Sequence, residues 1–208
     1  LETLHDGAGL RSDSMSRTVR NVLSDLERCG ASFAPALTGD GTLSTAGYAL
    51  LRDGVLVGWA EGAAAAGVNL LLSRVDADVV ELPQADGTAA LRVVGAKTRI
   101  RGVFDGEVLT GMDVKCRVEA NLAEGAPALK EEAARRRLEA ELAAVEQERI
   151  LAALELCRTL EGDFFSLAGA AGLSQPWRAE ALRRQWDPSS LEVSVSVTAK
   201  LERSYDAG

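Results

Sequence analysis

Residues Gly47–Leu72, GYALLRDGVLVGWAEGAAAAGVNLLL, constrain the fold of this chain more than any other stretch. Two short apolar runs, Gly47–Leu51 and Val55–Trp59, flank Arg52-Asp53-Gly54. An Asp-Gly pair supplies the positive φ angles of a tight turn, so the two runs predict an antiparallel hairpin. At Glu61-Gly62 the second run passes into Ala63–Leu72, an Ala-rich segment of helical composition. A hairpin followed at once by a helix, with no Gly-rich phosphate loop and no nucleophile at the junction, is scaffold rather than reaction centre.

The remaining segments extend that scaffold. Thr88–Phe104 and Glu107–Asn121 are two long strand candidates joined at a second Asp-Gly turn, Asp105-Gly106. From Met112 to Glu119 the alternation is strict. It puts Met112, Val114, Cys116 and Val118 on one face and four charged groups on the other, as a one-sided antiparallel strand requires. Ala77–Leu82 is a weaker strand that Pro83 is expected to stop, followed by a turn at Ala85-Asp86-Gly87. Pro127 to about Leu160 reads as one long helix, approaching about 50 Å at its usual rise. Leu138, Leu142, Val145, Leu151, Leu154 and Leu160 form its apolar stripe. Its Glu131-Glu132 and Arg135-Arg136-Arg137 groups stand at the helical pairing distance, acid before base, so the Arg triplet is expected to be solvated and self-paired.

Gly162 ends that helix, and Asp163 is placed to cap a shorter one running through Phe164-Phe165-Ser166-Leu167. Pro176-Trp177 opens another, ending near Trp186-Asp187-Pro188. Leu191–Val197 alternates without a break and predicts a last strand that returns beside the earlier pair. Ahead of all this, Ser14–Arg28 has helical spacing at Val19, Val22, Leu23 and Leu26, and Phe33–Leu37 leads into a loop at Thr38-Gly39-Asp40-Gly41. The expected organisation is therefore a leader over 1–39, the end of a preceding domain, and one domain over 40–208. The expected class is α+β, a mainly antiparallel sheet packed against a long helix and several shorter helices.

Composition removes several functions. With 23 basic against 31 acidic residues the formal charge is −8. No basic stripe is visible along the chain, so nucleic acid is not an expected partner. No apolar run approaches the roughly 20 residues that span a bilayer. The start, LETLHDGAGLRSD, has neither Met nor an export signal, so the chain reads as a piece of something longer. Cys29, Cys116 and Cys157 are widely spaced, which argues against a disulfide framework or a zinc site and for small packed side chains.

The catalytic search is equally bare. His5 is the sole histidine and lies far from any candidate nucleophile. Gly58-Trp59-Ala60-Glu61-Gly62 lacks the Lys-Ser/Thr of a phosphate loop. Acidic residues fall mostly on helix faces or alternate strand positions, where solvation accounts for them, although their spacing leaves two-carboxylate hydrolysis open. Trp59, Trp177 and Trp186 are expected to anchor the core rather than form a ligand platform. No catalytic, cofactor-binding or metal-binding residue is assigned. Two alternatives stay open: a small-molecule binding module using those tryptophans, and a hydrolase relying on carboxylates or Cys116.

The order of these features resembles the C-terminal domain of the Ger(x)C spore germination proteins, the C subunits of nutrient germinant receptors. The resemblance covers about Gly47 to Arg203. It rests on Gly47–Trp59, with Leu51 where the family tends to have Phe, then Gly67-Val68-Asn69-Leu70-Leu71 and Lys97-Thr98-Arg99-Ile100. Val118-Glu119-Ala120-Asn121-Leu122, Asp163–Leu167 and the Trp177–Trp186 pair before the Val-rich strand complete it. The Arg203-Ser204-Tyr205-Asp206 end lacks the family's customary Gly. The resemblance implies a non-enzymatic lipoprotein subunit acting with the receptor's A and B membrane subunits. It implies a place on the outer face of the spore inner membrane, through an N-terminal lipid anchor outside this fragment. It carries no catalytic, metal or cofactor residue onto the chain, and the Gly58-Trp59 end of the hairpin is the first place it suggests for a partner contact.

Overall fold

A computed structural model describes residues 14–39, 43–75, 78–84, 87–124 and 132–202. His5, the Asp40-Gly41 and Ala85-Asp86 turns, Ala77, Pro127, Glu131 and the Arg203–Asp206 end lie outside the described residues. Two sheets carry the fold. The first holds β1 (Ala31–Gly39), β2 (Leu43–Arg52) and β3 (Val55–Ala60) in that order. The second holds β4 (Asp78–Gln84), β5 (Gly87–Asp105), β6 (Val108–Glu124) and β7 (Glu192–Glu202), also in chain order. This is the α+β class that the alternation implied.

The hairpins form where the Asp-Gly pairs stand. Arg52 pairs with Val55, leaving Asp53 and Gly54 as the two turn residues, with φ of 51° and 79°. Two positive φ values in succession match the right-handed twist of the flanking strands, and Asp and Gly tolerate them best. Asp105 pairs with Val108, so the second turn is Gly106-Glu107, one residue later than the sequence suggested.

Three expectations change, two for strands and one for a helix. Thr38 and Gly39 are not loop residues: β1 runs to Gly39 and pairs with β2 throughout, with an irregularity between Pro35 and Leu37. The helix before it, α1, spans Val19–Cys29 rather than starting at Ser14, because Thr18 caps it through the Asn21 backbone N–H. Pro83 does not stop β4. It sits inside an edge strand, where its missing N–H leaves no ladder bond unmade.

Helices join the sheets. α2 (Gly62–Leu71) packs on α3 (Glu132–Thr159), and α3 packs on β7. α4 (Leu167–Ser174) lies against β5, followed by a 3₁₀ turn (Pro176–Arg178) and α5 (Ala179–Gln185). The long helix, described over Glu132–Thr159, falls within the span that its stripe implied. Leu138, Leu142 and Leu154 are buried, whereas Leu151 is exposed; Ile150, Ala153 and Cys157 fill that face instead. Among the described residues only Arg136–Glu132 pairs in the acid-first order. Arg135 reaches forward to Glu139 at 3.2 Å and Arg137 to Glu141 at 3.8 Å.

β7 enters beside β6 in parallel, Gly111 opposite Glu192 and Ala120 opposite Leu201. The three helices between β6 and β7 supply the crossover that a parallel pair needs. The inner face of β6 buries Met112, Val114, Cys116 and Val118, as the strict alternation required. The first sheet joins the same core through rings. Phe33 of β1 stands edge-on to Tyr48 of β2 at 5.1 Å and to Phe165 at 5.5 Å. Phe164 and Phe165 are both fully buried between α3 and α4.

Candidate functional site

A cleft of about 340 Å³ opens where four chain segments meet. Cys29 closes α1, Arg52 and Asp53 form the hairpin tip, Asp163 links α3 to α4, and Trp186 and Asp187 follow α5. Backbone chemistry places these groups. The Asp53 N–H donates to the Gly30 carbonyl at 2.8 Å and fastens the hairpin tip to the end of α1. Arg52 Nη1 donates to the Leu160 carbonyl at 2.8 Å, satisfying a carbonyl that the end of α3 leaves open. Its guanidinium also lies 3.9 Å from Glu161.

Asp163 is a buried carboxylate in the cleft wall. Its two carboxylate oxygens accept the backbone N–H groups of Leu167 at 2.7 Å and Ala168 at 3.0 Å. The capping role expected for Asp163 is realised, although Ser166, in a left-handed conformation at φ 55°, is the residue that flanks α4 directly. Burial pushes the Asp163 carboxyl up to about 6, against the pull of the two N–H donors. The Cys29 thiol is also raised, first by burial and then by Asp163. An adjacent carboxylate and a raised thiol are the reverse of what a nucleophilic cysteine requires. The Trp186 indole N–H is buried and has no hydrogen-bond partner among the described residues.

A second polar group lies inside the core. Glu146, on α3, is 1% exposed and sits between Leu142 and Ile150 on the buried face. Arg149 Nη1 lies 3.3 Å from both Glu146 oxygens and also pairs with Asp78 of β4. Burial raises the Glu146 carboxyl to about 6, with Arg149 opposing the shift. The sequence reading passed over this triad, yet one signal was present: an acid at the helical spacing of buried residues. Gly67 of α2 is pressed so closely on the Arg149 carbonyl that a Cβ would overlap it. The arrangement fastens α2, α3 and β4 together and presents no open face to a substrate.

The tryptophans are where the sequence expectation fails. Trp59 is half exposed on the edge strand β3, and Trp177 is 74% exposed at the 3₁₀ turn; neither anchors the core. Trp59 shares its strand with the exposed Val55 and Leu56, while Val57 packs against the core. Pro176 at the start of the 3₁₀ turn breaks the α-helical period, so Trp177 falls outward. Leu173, four residues earlier at the end of α4, is 86% exposed. Trp186 alone is partly buried against the core. Cys116 and Cys157 are buried, and burial raises both thiols. Among the described residues no group of His, Cys, Asp and Glu is arranged to hold a metal ion, and no helix is long and apolar enough to cross a membrane.

Comparison with known proteins supplies the family. No curated protein matches the chain. Among solved structures the crystal structure of the GerBC protein is similar, with a TM-score of 0.73 at 11% identity. The superposition covers 92% of this chain and 66% of GerBC, so the chain spans just under two thirds of that protein's length. At that identity the likeness speaks for the fold. The family described as "Spore germination B3/GerAC like, C-terminal" matches residues 46–205, from within β2 to just past the end of β7. With more than half of its length inside that match, the chain belongs to the GerAC-like spore germination family and carries its C-terminal domain.

Proposed function

We propose that this chain is a non-enzymatic interaction domain of the C subunit of a nutrient germinant receptor. In that reading it works beside the A and B membrane subunits on the outer face of the spore inner membrane. The lipid anchor of the lipoprotein would be carried upstream, and residues 1–39 would be the handover from a preceding domain to 40–208. The observation that carries the proposal is the pair Leu173 and Trp177, two large apolar side chains exposed four residues apart at the α4–3₁₀ junction. Exposed Trp is the residue type that most often dominates a protein contact. Signalling through such a contact needs no nucleophile, and Cys116, the thiol once open to a catalytic role, is packed in the core.

The test is co-purification of the full-length subunit, tagged, from spore membranes. The A and B subunits are expected to come with it, and Trp177→Ser with Leu173→Ser to lower their yield by about tenfold or more. Unchanged recovery with the double variant would remove this surface from the reading; absence of A and B from the wild-type isolate would remove the reading itself.

A second reading, binding of a small molecule, is favoured by one observation: the unpartnered Trp186 indole N–H at the cleft. It predicts quenching of Trp fluorescence by a bound amino acid or sugar, abolished in Trp186→Phe. A flat titration across both classes argues against it.

A further inference from the structure

Strand register, rather than neighbourhood in sequence, assembles a block of positive charge on this surface. Lys97, Arg99 and Arg101 alternate along β5, and Lys115 and Arg117 along β6. Antiparallel pairing sets Lys97 opposite Arg117 and Arg99 opposite Lys115. Ile100, Val114, Cys116 and Val118 of these strands are buried, so the two-residue period sends all five cations to the other, solvent face, where each is exposed. Like charges directly opposite each other cost a sheet stability, and here two such pairs stand side by side.

The sheet itself supplies two acids on this face, Asp113 and Glu119, the second next along β6 from Arg117 and opposite Gly95. Asp113 lies opposite Arg101 and 3.6 Å from Lys115. Lys97, Arg99 and Arg117 have no carboxylate partner among the described residues. The Arg135–Arg137 triplet on α3 is the contrast, because each of its members is paired to a glutamate of its own helix. In a chain of formal charge −8, an unpaired block of cations is the exception to be explained.

β7 extends the block with hydroxyls. Its parallel register puts Thr198 beside Arg117 and Ser196 beside Lys115, both exposed. Two rows therefore cross the sheet, Lys97–Arg117–Thr198 and Arg99–Lys115–Ser196. Each row is cation, cation, hydroxyl, which is donor chemistry suited to phosphate oxygens. Exposed valines lie near the ends of the same face: Val103 beyond Arg101, and Val79 opposite Arg92.

We infer that this face of the four-stranded sheet docks on a bilayer surface rich in anionic phospholipid. The face is broad and sheet-like, so it meets many headgroups of a planar surface at once. Among the described residues its outward positions hold no aromatic side chain on which single-stranded bases would stack. An anionic bilayer offers dense phosphate, and its surface potential attracts each lysine or arginine brought within a Debye length. The acidic remainder of the chain does not prevent this, since charges beyond about 10 Å are screened at moderate salt. The inference stands apart from the receptor assignment, because docking on lipid needs no A or B subunit.

The experiment is co-sedimentation of the 208-residue chain with vesicles of phosphatidylcholine alone, or of phosphatidylcholine with phosphatidylglycerol. Binding is expected only to the anionic vesicles and is expected to fall steeply as salt rises. Lys97→Gln, Arg99→Gln, Lys115→Gln and Arg117→Gln together should weaken it by about fivefold for each charge removed. These substitutions relieve repulsion, so the variant should fold, as circular dichroism would verify. Arg135→Gln, Arg136→Gln and Arg137→Gln should bind as the parent does. No binding to anionic vesicles, equal binding to neutral ones, or full binding by the sheet variant would overturn the proposal. Preferential retention on a duplex oligonucleotide at the same salt would overturn it in favour of nucleic acid.

Discussion

The side-chain amide of Gln175 completes a strand rung on Gly102: it accepts the Gly102 N–H at 2.7 Å and donates to the Gly102 carbonyl at 3.2 Å. β4 pairs with β5 only as far as Val93, so beyond that point β5 has a free edge. Ser73 covers that edge at Thr98, accepting its N–H at 2.9 Å, and Gln175 covers it at Gly102. An uncovered, buried edge is both an unsatisfied pair and a template for another chain. Gln175→Leu is therefore expected to destabilise the fold by about 1–3 kcal/mol and to raise aggregation on heating. Urea unfolding with light scattering checks both; a variant as stable and as soluble as the parent would contradict the role.

Acid should act on this domain through two carboxyls. Glu146 and Asp163 are raised to about 6 in the fold, from ordinary values of 4.5 and 3.8. A group with a raised folded value binds its proton more tightly in the native state. Its contribution therefore becomes less favourable as pH rises through that window, and the penalty is complete above about pH 6. Glu146→Gln should gain stability relative to the parent between about pH 4.5 and pH 6.5, by at most about 2 kcal/mol. Denaturant midpoints for the pair across that range decide it; a constant difference would mean that Glu146 titrates as an ordinary carboxyl.

Close approach of α2 to α3 depends on Gly67. Because a Cβ there would overlap the Arg149 carbonyl, Gly67→Ala must push the helices apart, at a cost of about 3 kcal/mol or more. Gly95→Ala is the control, since no atom lies within 4 Å of the added methyl. A lowered urea midpoint for the first variant and a small change for the second are expected.

Thiol alkylation should separate the three cysteines. Cys116 and Cys157 are buried with raised thiols, whereas Cys29 is partly exposed. Native protein should take up one label slowly, at Cys29, and three only on unfolding. Rapid native labelling of Cys116 would restore the catalytic reading that its burial argues against.

What the sequence made legible was whatever one segment decides alone. The Asp53-Gly54 turn, the one-sided alternation from Met112 to Glu119 and the long helix all follow from local period and turn chemistry. β1 was hidden because Pro35 and its small neighbours give no alternation, and because its place depends on pairing with β2. The outward turn of Trp177 depends on a 3₁₀ turn that shifts the helical phase. The cleft is built from segments far apart in the chain, and the cationic face from register across the β5–β6 hairpin. No linear scan of charge could reveal Lys97 opposite Arg117, since that neighbourhood exists only once β5 and β6 are in register. Glu146 was readable and overlooked, an acid at the spacing of buried leucines.

The parallel entry of β7 has a consequence for how this chain is made. Glu192 comes to rest beside Gly111, yet α3, α4 and α5 must all be synthesised between them. Until then a nascent chain presents β6 as an open edge, with the face of α3 that β7 will cover still wet. Such an intermediate is a natural client for a holding chaperone, and a ribosome stalled before Leu191 would release a sticky product rather than a smaller domain.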